Sequence, residues 1–306
     1  MDSPAGIDTV SFFRYHLTMR NMDWSLAEPV FLRNLMITPV RGPNGNGPAV
    51  MAIEDALAAG QATIAEREVP DINTVIVNNQ ADRSLFMLDG EEITGSLQNR
   101  IVASSQLIEA GPPAEVPVLC VEEQRWEGLG GFRTGVCSYP ALRSILADRR
   151  PSSRQTQQAI WREVQRKLTV TRTSSATSSM HDIYDGLDDE LDRYLEGFKS
   201  LNHDTLGFVA SAGHRLLGAD IFLSHGLYCT FERKILRAYA LDALEQRVPG
   251  QNQDRSASFL TQVQEALAGV RIRGRNRHLR LRTPRIAGQA LVSRAGTLHV
   301  SAFPRA

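Results

Sequence analysis

The order of apolar and polar residues divides the chain into a strand-rich front half, a helical middle and a strand-rich end. After a short helix predicted at 52–59, brief β-type runs cover residues 62–68, 74–78, 84–88, 100–107 and 116–121. Turn-forming residues separate most of these runs at spacings too short for crossover helices. The front half is therefore predicted to form antiparallel meanders.

The middle of the chain shows helical spacing instead. Ile160, Val164 and Leu168 share one face, and apolar residues from Ile183 to Phe198 form a longer stripe, with Ser179 and Asp182 suited to cap its start. A strand pair is predicted at 206–212 and 216–223, followed by helices at 231–247 and 256–268 and by strands at 289–293 and 297–303. The pattern predicts an α+β fold, mainly antiparallel sheet, with helices packed on the sheet.

Composition agrees with an ordinary globular protein. The 306 residues are 42% hydrophobic and 22% charged, with a formal net charge of zero. Internal repeats and low-complexity linkers are absent, which predicts one continuous fold. Apolar runs fall far short of the ~20 residues that a membrane helix needs. The start lacks the basic and apolar stretches of a secretory signal, and the three cysteines form no paired motif, so a cytoplasmic location is expected.

The densest polar stretch covers residues 89–100 and contains two glycines. Its three carboxylates, on Asp89, Glu91 and Glu92, are candidate catalytic groups that could activate water, alone or through a divalent cation such as Mg²⁺ or Mn²⁺. Its final residues, Gln98, Asn99 and Arg100, are candidates to bind amide, hydroxyl or phosphate groups of a ligand. The alternative interpretation is a polar surface turn with solvated charges.

A second group of candidates follows the run at 116–121. Glu122 is expected to share a face with Cys120 and to approach the first group, while Arg125 and Trp126 could form a stacking wall for a base or a sugar ring. The structural alternatives are a buried cysteine and a core tryptophan. Gly128 to Gly131 lacks the strand and helix that a dinucleotide fingerprint requires.

Charged residues elsewhere suggest further pairings. Asp220 lies inside an apolar strand and Asp242 inside an apolar helix, and buried acids need partners, for which arginine is the obvious choice. The segment 266–306 contains nine arginines and no acid. Its alternating members could line one strand face and bind phosphates or nucleic acid, although the acidic residues of 185–196 could neutralise them. These arginines are Arg271, Arg273, Arg275 and Arg277, with Arg280, Arg282 and Arg285 extending the charge.

A family resemblance rests on several of these blocks together. Leu88 to Glu92, Gln98-Asn99-Arg100, Pro117 to Glu122, Arg125-Trp126 and Leu298 to Phe303 resemble the ARPP family, proteins associated with ADP-ribosylglycohydrolases and rhodanese-phosphatases. The resemblance implies a single domain over 26–303, after an extension at 1–25, and a role in NAD or ADP-ribose metabolism. Leu97 stands where the family often has a lysine, and Glu123 also departs from the family pattern.

Three hypotheses follow, and whether the chain is an enzyme stays open among them. The first is binding, alone or with hydrolysis, of an ADP-ribose-like or other phosphorylated nucleotide by Glu91, Glu92 and Asp89 together with Arg100. The second is a non-catalytic regulatory or adaptor protein whose partner is another protein. The third is nucleic-acid binding through the C-terminal arginines, which predicts a steep loss of affinity with salt.

Overall fold

A computed structural model describes residues 22–45, 49–69, 71–128, 131–149, 153–202, 204–246, 255–270, 277–293 and 295–305. Their strands are β1 Ser25–Leu26, β2 Val30–Leu32, β3 Leu35–Arg41, β4 Val50–Ala52, β5 Ala62–Ala65, β6 Thr74–Asn79, β7 Ser84–Met87, β8 Glu91–Thr94, β9 Arg100–Val102, β10 Gln106–Ile108, β11 Ala114–Cys120, β12 Arg133–Cys137, β13 Thr205–Ala212, β14 Arg215–Phe222, β15 His278–Arg282, β16 Ile286–Ser293 and β17 Gly296–Pro304. Their helices are α1 Ile53–Ala58, α2 Pro140–Asp148, α3 Arg154–Thr171, α4 Met180–Gly186, α5 Asp188–Leu195, α6 His225–Glu245 and α7 Ser256–Ala268.

The largest sheet has eight strands and joins the start, middle and end of the chain. Its order is β1-β3-β13-β14-β17-β16-β15, with β2 paired to β3. Alternation along β13 places Phe208 against Tyr239 of α6, while Val209 belongs to the core that α7 covers. Helices α2 and α6 therefore pack on one face of this sheet and α7 packs on the other.

The front half forms two smaller sheets. The order is β12-β8-β9-β11-β6-β5 in one and β10-β7-β4 in the other. Every strand pair in the described residues is antiparallel except β4 with β7. The α+β prediction with mainly antiparallel sheet is confirmed. Among the described residues, no helix is long and apolar enough to cross a membrane.

Local predictions hold best where the periodicity is strong. The hairpin of β13 and β14, the helix α7 and the final hairpin lie where the sequence predicts them. The Ser179 side chain accepts a hydrogen bond from the His181 N–H and so caps α4, as expected. The predicted strand at 100–107 is two strands, and the apolar stripe that begins at Ile183 runs over two helices with a break at Leu187, because Leu187 leaves helical geometry.

Several elements were not predicted from the sequence. They are β1 to β4 before α1, strand β12, helix α2 and strand β15. The segment 89–100, expected to lie between strands, itself contains β8. This last difference decides where its carboxylates point.

Candidate functional site

A fully buried arginine joins two of the predicted acids. Arg143, on α2, donates from Nε and Nη2 to Asp89 at 3.2 and 3.1 Å, and from Nη1 and Nη2 to Asp220 at 2.9 and 2.6 Å. All three side chains have no exposed surface. The expectation that buried Asp220 requires an arginine partner is therefore met, across 77 residues of chain. Asp242 instead pairs with a lysine, Lys167, at 2.5 Å.

A histidine and a serine extend this network. His299, on β17, has Nε2 at 3.0 Å from Asp220 Oδ1 and Nδ1 at 2.9 Å from Ser105 Oγ. The Ser105 hydroxyl also lies 3.0 Å from Asp89 Oδ1 and accepts a hydrogen bond from the Asp89 N–H at 3.0 Å. Tyr239 donates its hydroxyl to Asp220 at 2.8 Å. Serine, histidine and aspartate thus form a continuous hydrogen-bonded chain.

Two further side chains complete the surroundings of Asp89. Gln289 Nε2 donates to its Oδ2 at 3.1 Å and Ser301 Oγ donates to the same oxygen at 3.0 Å. These donors come from β16 and β17, which are neighbours in the large sheet. Asp89 therefore connects the front half of the chain to the C-terminal hairpin.

A pocket of about 410 Å³ adjoins this network. We call it the His299 pocket; its wall includes Ser105, His278, Arg280, Gln289, Leu291 and His299. The volume lies within the range of about 300–1,000 Å³ that is usual for small-molecule sites. Ser105, Gln289 and His299 are the wall residues that also contact the buried acids. The pocket therefore reaches Asp89 and Asp220 through one layer of hydrogen-bonded side chains.

The charge of Arg143 controls the ionisation of the two acids. Burial raises the pKa of each carboxyl, but the adjacent guanidinium outweighs burial, so the pKa values of Asp89 and Asp220 are both lowered. Burial lowers the pKa of Arg143 and the two carboxylates raise it, with a net rise. Both acids are therefore anions at neutral pH, and neither is poised to exchange protons there.

The same acids and His299 also meet the distance requirement for a metal site. One ligand atom each from Asp89, Asp220 and His299 lies within 4.8 Å of the others. The Arg143 guanidinium, however, already donates to both carboxylates and would oppose a second cation at this short range. These residues therefore fit an arginine-centred ion network and do not fit a divalent cation.

The other two predicted carboxylates point in opposite directions. Consecutive strand residues project to opposite faces, and Glu91 and Glu92 open strand β8. Glu91 accepts a hydrogen bond from Lys234 at 2.7 Å, and Lys234 also pairs with Glu54. Glu92 contacts Nδ1 of His181 at 2.7 Å. The two acids therefore belong to different ion pairs.

The pair formed by Glu92 and His181 connects the interior to the surface. Glu92 is fully buried, whereas the His181 side chain is 35% exposed. The hydrogen bond to Glu92 raises the pKa of His181 to about 9. Burial raises the pKa of Glu92, although His181 opposes this effect. Oxygen Oε1 of Glu92 has no hydrogen-bond partner among the described residues.

The predicted ligand-binding residues are engaged with protein groups. Arg100 makes a bidentate pair with Glu66 at 2.8 and 2.9 Å. Gln98 Nε2 donates to the Glu122 carbonyl at 2.8 Å, and the Asn99 N–H donates to the Glu122 carboxylate at 3.0 Å. The expected approach of Glu122 to the first group of candidates is therefore observed.

Arg125 and Trp126 lie beside this second cluster. Arg125 pairs with Glu122 at 2.7 Å and donates to Asn99 Oδ1 at 3.1 Å. Trp126 is 47% exposed and so is not a core residue. Cys120 is buried, which raises the pKa of its thiol to about 11 and makes it a poor nucleophile. A stacking role for Trp126 stays a prediction.

The segment 89–100 therefore does not aim its polar groups at one point. Asp89 contacts Ser105 and Gln289 of the pocket wall, and the other five predicted residues of the segment, Glu91, Glu92, Gln98, Asn99 and Arg100, contact other groups. Residues not predicted for this site are Arg143, Ser105, His299 and Gln289. The need of Asp220 for an arginine was the signal that could have led to Arg143.

The C-terminal arginines divide into two sets. Arg271, Arg273 and Arg275 lie outside the described residues. Arg277 pairs with Glu109 at 2.8 Å, and Arg282 lies 3.4 Å from Asp148. Two acidic residues of α5, a segment expected to neutralise this charge, pair with α6 instead: Asp188 with Arg237 at 2.5 Å and Asp192 with Arg233 at 3.1 Å. Nucleic-acid binding stays a prediction.

Comparison with known proteins gives one family match. Residues 23–303 match the model described as ARG and Rhodanese-Phosphatase-superfamily-associated Protein domain, ARPP-1. No curated protein and no solved structure gives a match. The match covers nearly the whole chain and includes Asp89, Arg143 and Asp220.

Proposed function

The chain belongs to the ARPP-1 family, which is associated with ADP-ribosylglycohydrolase and rhodanese-phosphatase systems, and from this context and the His299 pocket we propose that it binds and hydrolyses an ADP-ribose-like or other phosphorylated nucleotide. The observation that carries the proposal is the contact of an accessible pocket with Ser105, Gln289 and His299, the hydrogen-bond partners of Asp89 and Asp220.

The pocket wall supplies the groups that such a ligand needs. Arg280 contributes a guanidinium, which suits phosphate oxygens. Ser105 and Gln289 offer hydrogen-bonding groups for ribose hydroxyls, and Leu291, on the same sheet face as Arg280, offers apolar surface for a ring. Most of the wall residues are polar, which suits a phosphorylated ligand with many hydrogen-bonding groups.

Proton transfer in this proposal belongs to His299. Histidine is the commonest general acid or base in enzymes, and the Asp220 carboxylate holds the ring in one orientation. Asp89 acts as an anionic anchor for Ser105 and Gln289, because its lowered pKa makes it a weak base. The predicted catalytic role of Asp89 is thus replaced by a positioning role.

A thermal-shift panel tests ligand binding directly. NAD, ADP-ribose, other nucleotides and sugar phosphates are added, each with and without magnesium or manganese. At 100 times the Kd, a ligand stabilises the folded state by about 2.7 kcal/mol, which corresponds to a rise in Tm of about 4 °C for a chain of this size. At least one phosphorylated ligand is expected to give this rise.

Matched variants locate the site. Arg280 and Arg282 lie on the same exposed face of β15, but only Arg280 borders the His299 pocket. Arg280→Ala is expected to weaken the phosphorylated ligand about tenfold and Arg282→Ala to leave its affinity unchanged. Glu91→Gln and Glu92→Gln are likewise expected to leave binding intact. Equal effects of the two arginine variants would move the site elsewhere.

The competing hypotheses predict other results. An adaptor protein shows no ligand-induced rise in Tm and gives a stoichiometric protein partner in pull-downs. A nucleic-acid binder shows an affinity for oligonucleotides that falls steeply with salt. Either pattern, without a nucleotide hit in the panel, would contradict the proposed function.

A further inference from the structure

We propose that Ser105 is a covalent nucleophile and that the substrate is a carboxylic ester of a phosphorylated sugar or nucleotide. The proposal deepens the function proposed above and rests on it. Its basis is the chain of contacts from Ser105 Oγ to His299 Nδ1, at 2.9 Å, and from His299 Nε2 to Asp220 Oδ1, at 3.0 Å, at the wall of the His299 pocket.

The geometry assigns each group a role. Asp220 is an anion, so it accepts the proton on His299 Nε2 as a hydrogen bond and leaves Nδ1 as an acceptor facing Ser105. Serine hydrolases use the same three groups with the two ring nitrogens exchanged. Either imidazole nitrogen can accept a proton, so the exchange leaves the chemistry unchanged.

Asp89 lies beside this arrangement, with its Oδ1 3.0 Å from Ser105 Oγ and 3.4 Å from His299 Nδ1. Its N–H donates to Ser105 Oγ at 3.0 Å and fixes the position of the hydroxyl oxygen. When Ser105 donates to His299, Asp89 keeps the donors Arg143, Gln289 and Ser301. The serine hydroxyl is therefore free to point its proton at the histidine without leaving a buried carboxylate unsatisfied.

The ester class follows from the available carboxylates. Glycosidic hydrolysis uses two carboxyl groups that flank the scissile bond, one of them protonated. Asp89 and Asp220 are both held as anions by Arg143 and are fully buried behind the pocket wall. A serine and a histidine at that wall are the groups of acyl transfer. The phosphorylated part of the substrate would contact Arg280.

The reaction has two balanced steps. Ser105 Oγ attacks the ester carbonyl carbon while its proton passes to His299 Nδ1, and collapse of the tetrahedral intermediate breaks the bond to the alcohol, which takes that proton. Water then attacks the acyl-serine ester, again giving a proton to His299. The serine regains this proton, and a carboxylic acid leaves. No oxidant, reductant or metal takes part.

A fluorophosphonate probe tests the nucleophile on the intact protein. Attack by Ser105 forms an oxygen–phosphorus bond and releases fluoride, with the serine proton taken up by His299. Peptide mass spectrometry of the labelled wild type is expected to locate the adduct on Ser105, a result that needs no variant. Ser105→Ala is expected to lower labelling and the hydrolysis of p-nitrophenyl acetate by at least about 100-fold.

Ser211→Ala is the matched control. Ser211, on β13, is 4% exposed like Ser105, but among the described residues its hydroxyl has no hydrogen-bond partner and it does not border the His299 pocket. This control variant should keep labelling within about threefold of wild type if Ser105 is the residue that reacts. An adduct on another residue, no adduct at all, or equal losses in both variants would overturn the proposal. ADP-ribose thermal shifts report separately on the proposed function, since binding can persist in a chain that is never labelled.

Discussion

Replacing Arg143 by methionine tests the ion network that supports the candidate site. The guanidinium is fully buried and donates four hydrogen bonds, two to Asp89 and two to Asp220. Methionine fills a similar volume but cannot donate. Among the described residues, Arg143→Met therefore leaves the two buried carboxylates with His299 as their one remaining basic partner.

The expected loss of stability is large. Removal of one partner from a buried ion pair costs about 3–5 kcal/mol. Because Arg143 serves two acids, we expect a loss of at least about 4 kcal/mol at pH 7, against a total stability of about 5–15 kcal/mol for folded proteins. The same change tests the role of Arg143 in keeping Asp89 and Asp220 ionised.

The stability loss caused by Arg143→Met should depend on pH. In the wild type both acids have lowered pKa values. Their contribution to the free energy of unfolding is therefore present above the pKa of aspartate in the unfolded chain, near 3.9, and is lost as the pH falls further. In the variant, burial without Arg143 raises both pKa values. The difference in unfolding free energy between variant and wild type should therefore shrink as the pH falls from 7 to 4.

Urea denaturation at pH 7 and at pH 4 measures this difference. Arg166→Met is the matched control, because Arg166 also joins two carboxylates, Glu163 and Glu245, but is 42% exposed. Exposed pairs contribute about 0–1 kcal/mol. A loss below about 1 kcal/mol for Arg143→Met, or a loss equal to that of the control, would refute the reasoning.

Two further predictions concern ionisation elsewhere. The pKa of His181 is raised to about 9, so its pairing with Glu92 should stabilise the fold fully below pH ~6.5 and lose this effect as the pH rises through 9. Solvent screening limits the effect to about 1 kcal/mol. The variant His181→Gln should therefore flatten the dependence of unfolding free energy on pH over that range. At pH 8, iodoacetamide should modify the exposed Cys229 in the folded protein. Cys120 and Cys137 should react only after unfolding, because both are buried and their thiol pKa values are raised to about 11 and about 12. Mass spectrometry distinguishes the three sites.

The sequence predicts elements with strong periodicity and misses those without it. The hairpin of β13 and β14 has a long apolar run on each side of a glycine turn, and α7 matches its predicted bounds. Strand β8 has only four residues, three of them polar, so its alternation was hidden inside a polar segment. Recognising it would have separated Glu91 from Glu92, since neighbours in a strand face opposite ways.

The site could be predicted only in part because its members are distant in sequence. The need of Asp220 for a cationic partner follows from its apolar strand, yet which arginine meets it depends on how α2 packs against β14, β16 and β17. Ser105 and His299 are separated by 194 residues and meet only because the front sheets pack against the C-terminal hairpin. A single serine and a single histidine form no sequence pattern from which their contact could be predicted.

The most direct measurement of the central claim is NMR of the histidine side chains during titration with ADP-ribose. The chain has seven histidines, of which His299 and His278 border the His299 pocket, while His181 lies in a different ion pair. The ring nitrogen signals of His299 and His278 are expected to shift to saturation while that of His181 stays unchanged. A saturating shift of His181 with no change at His299 would contradict the account.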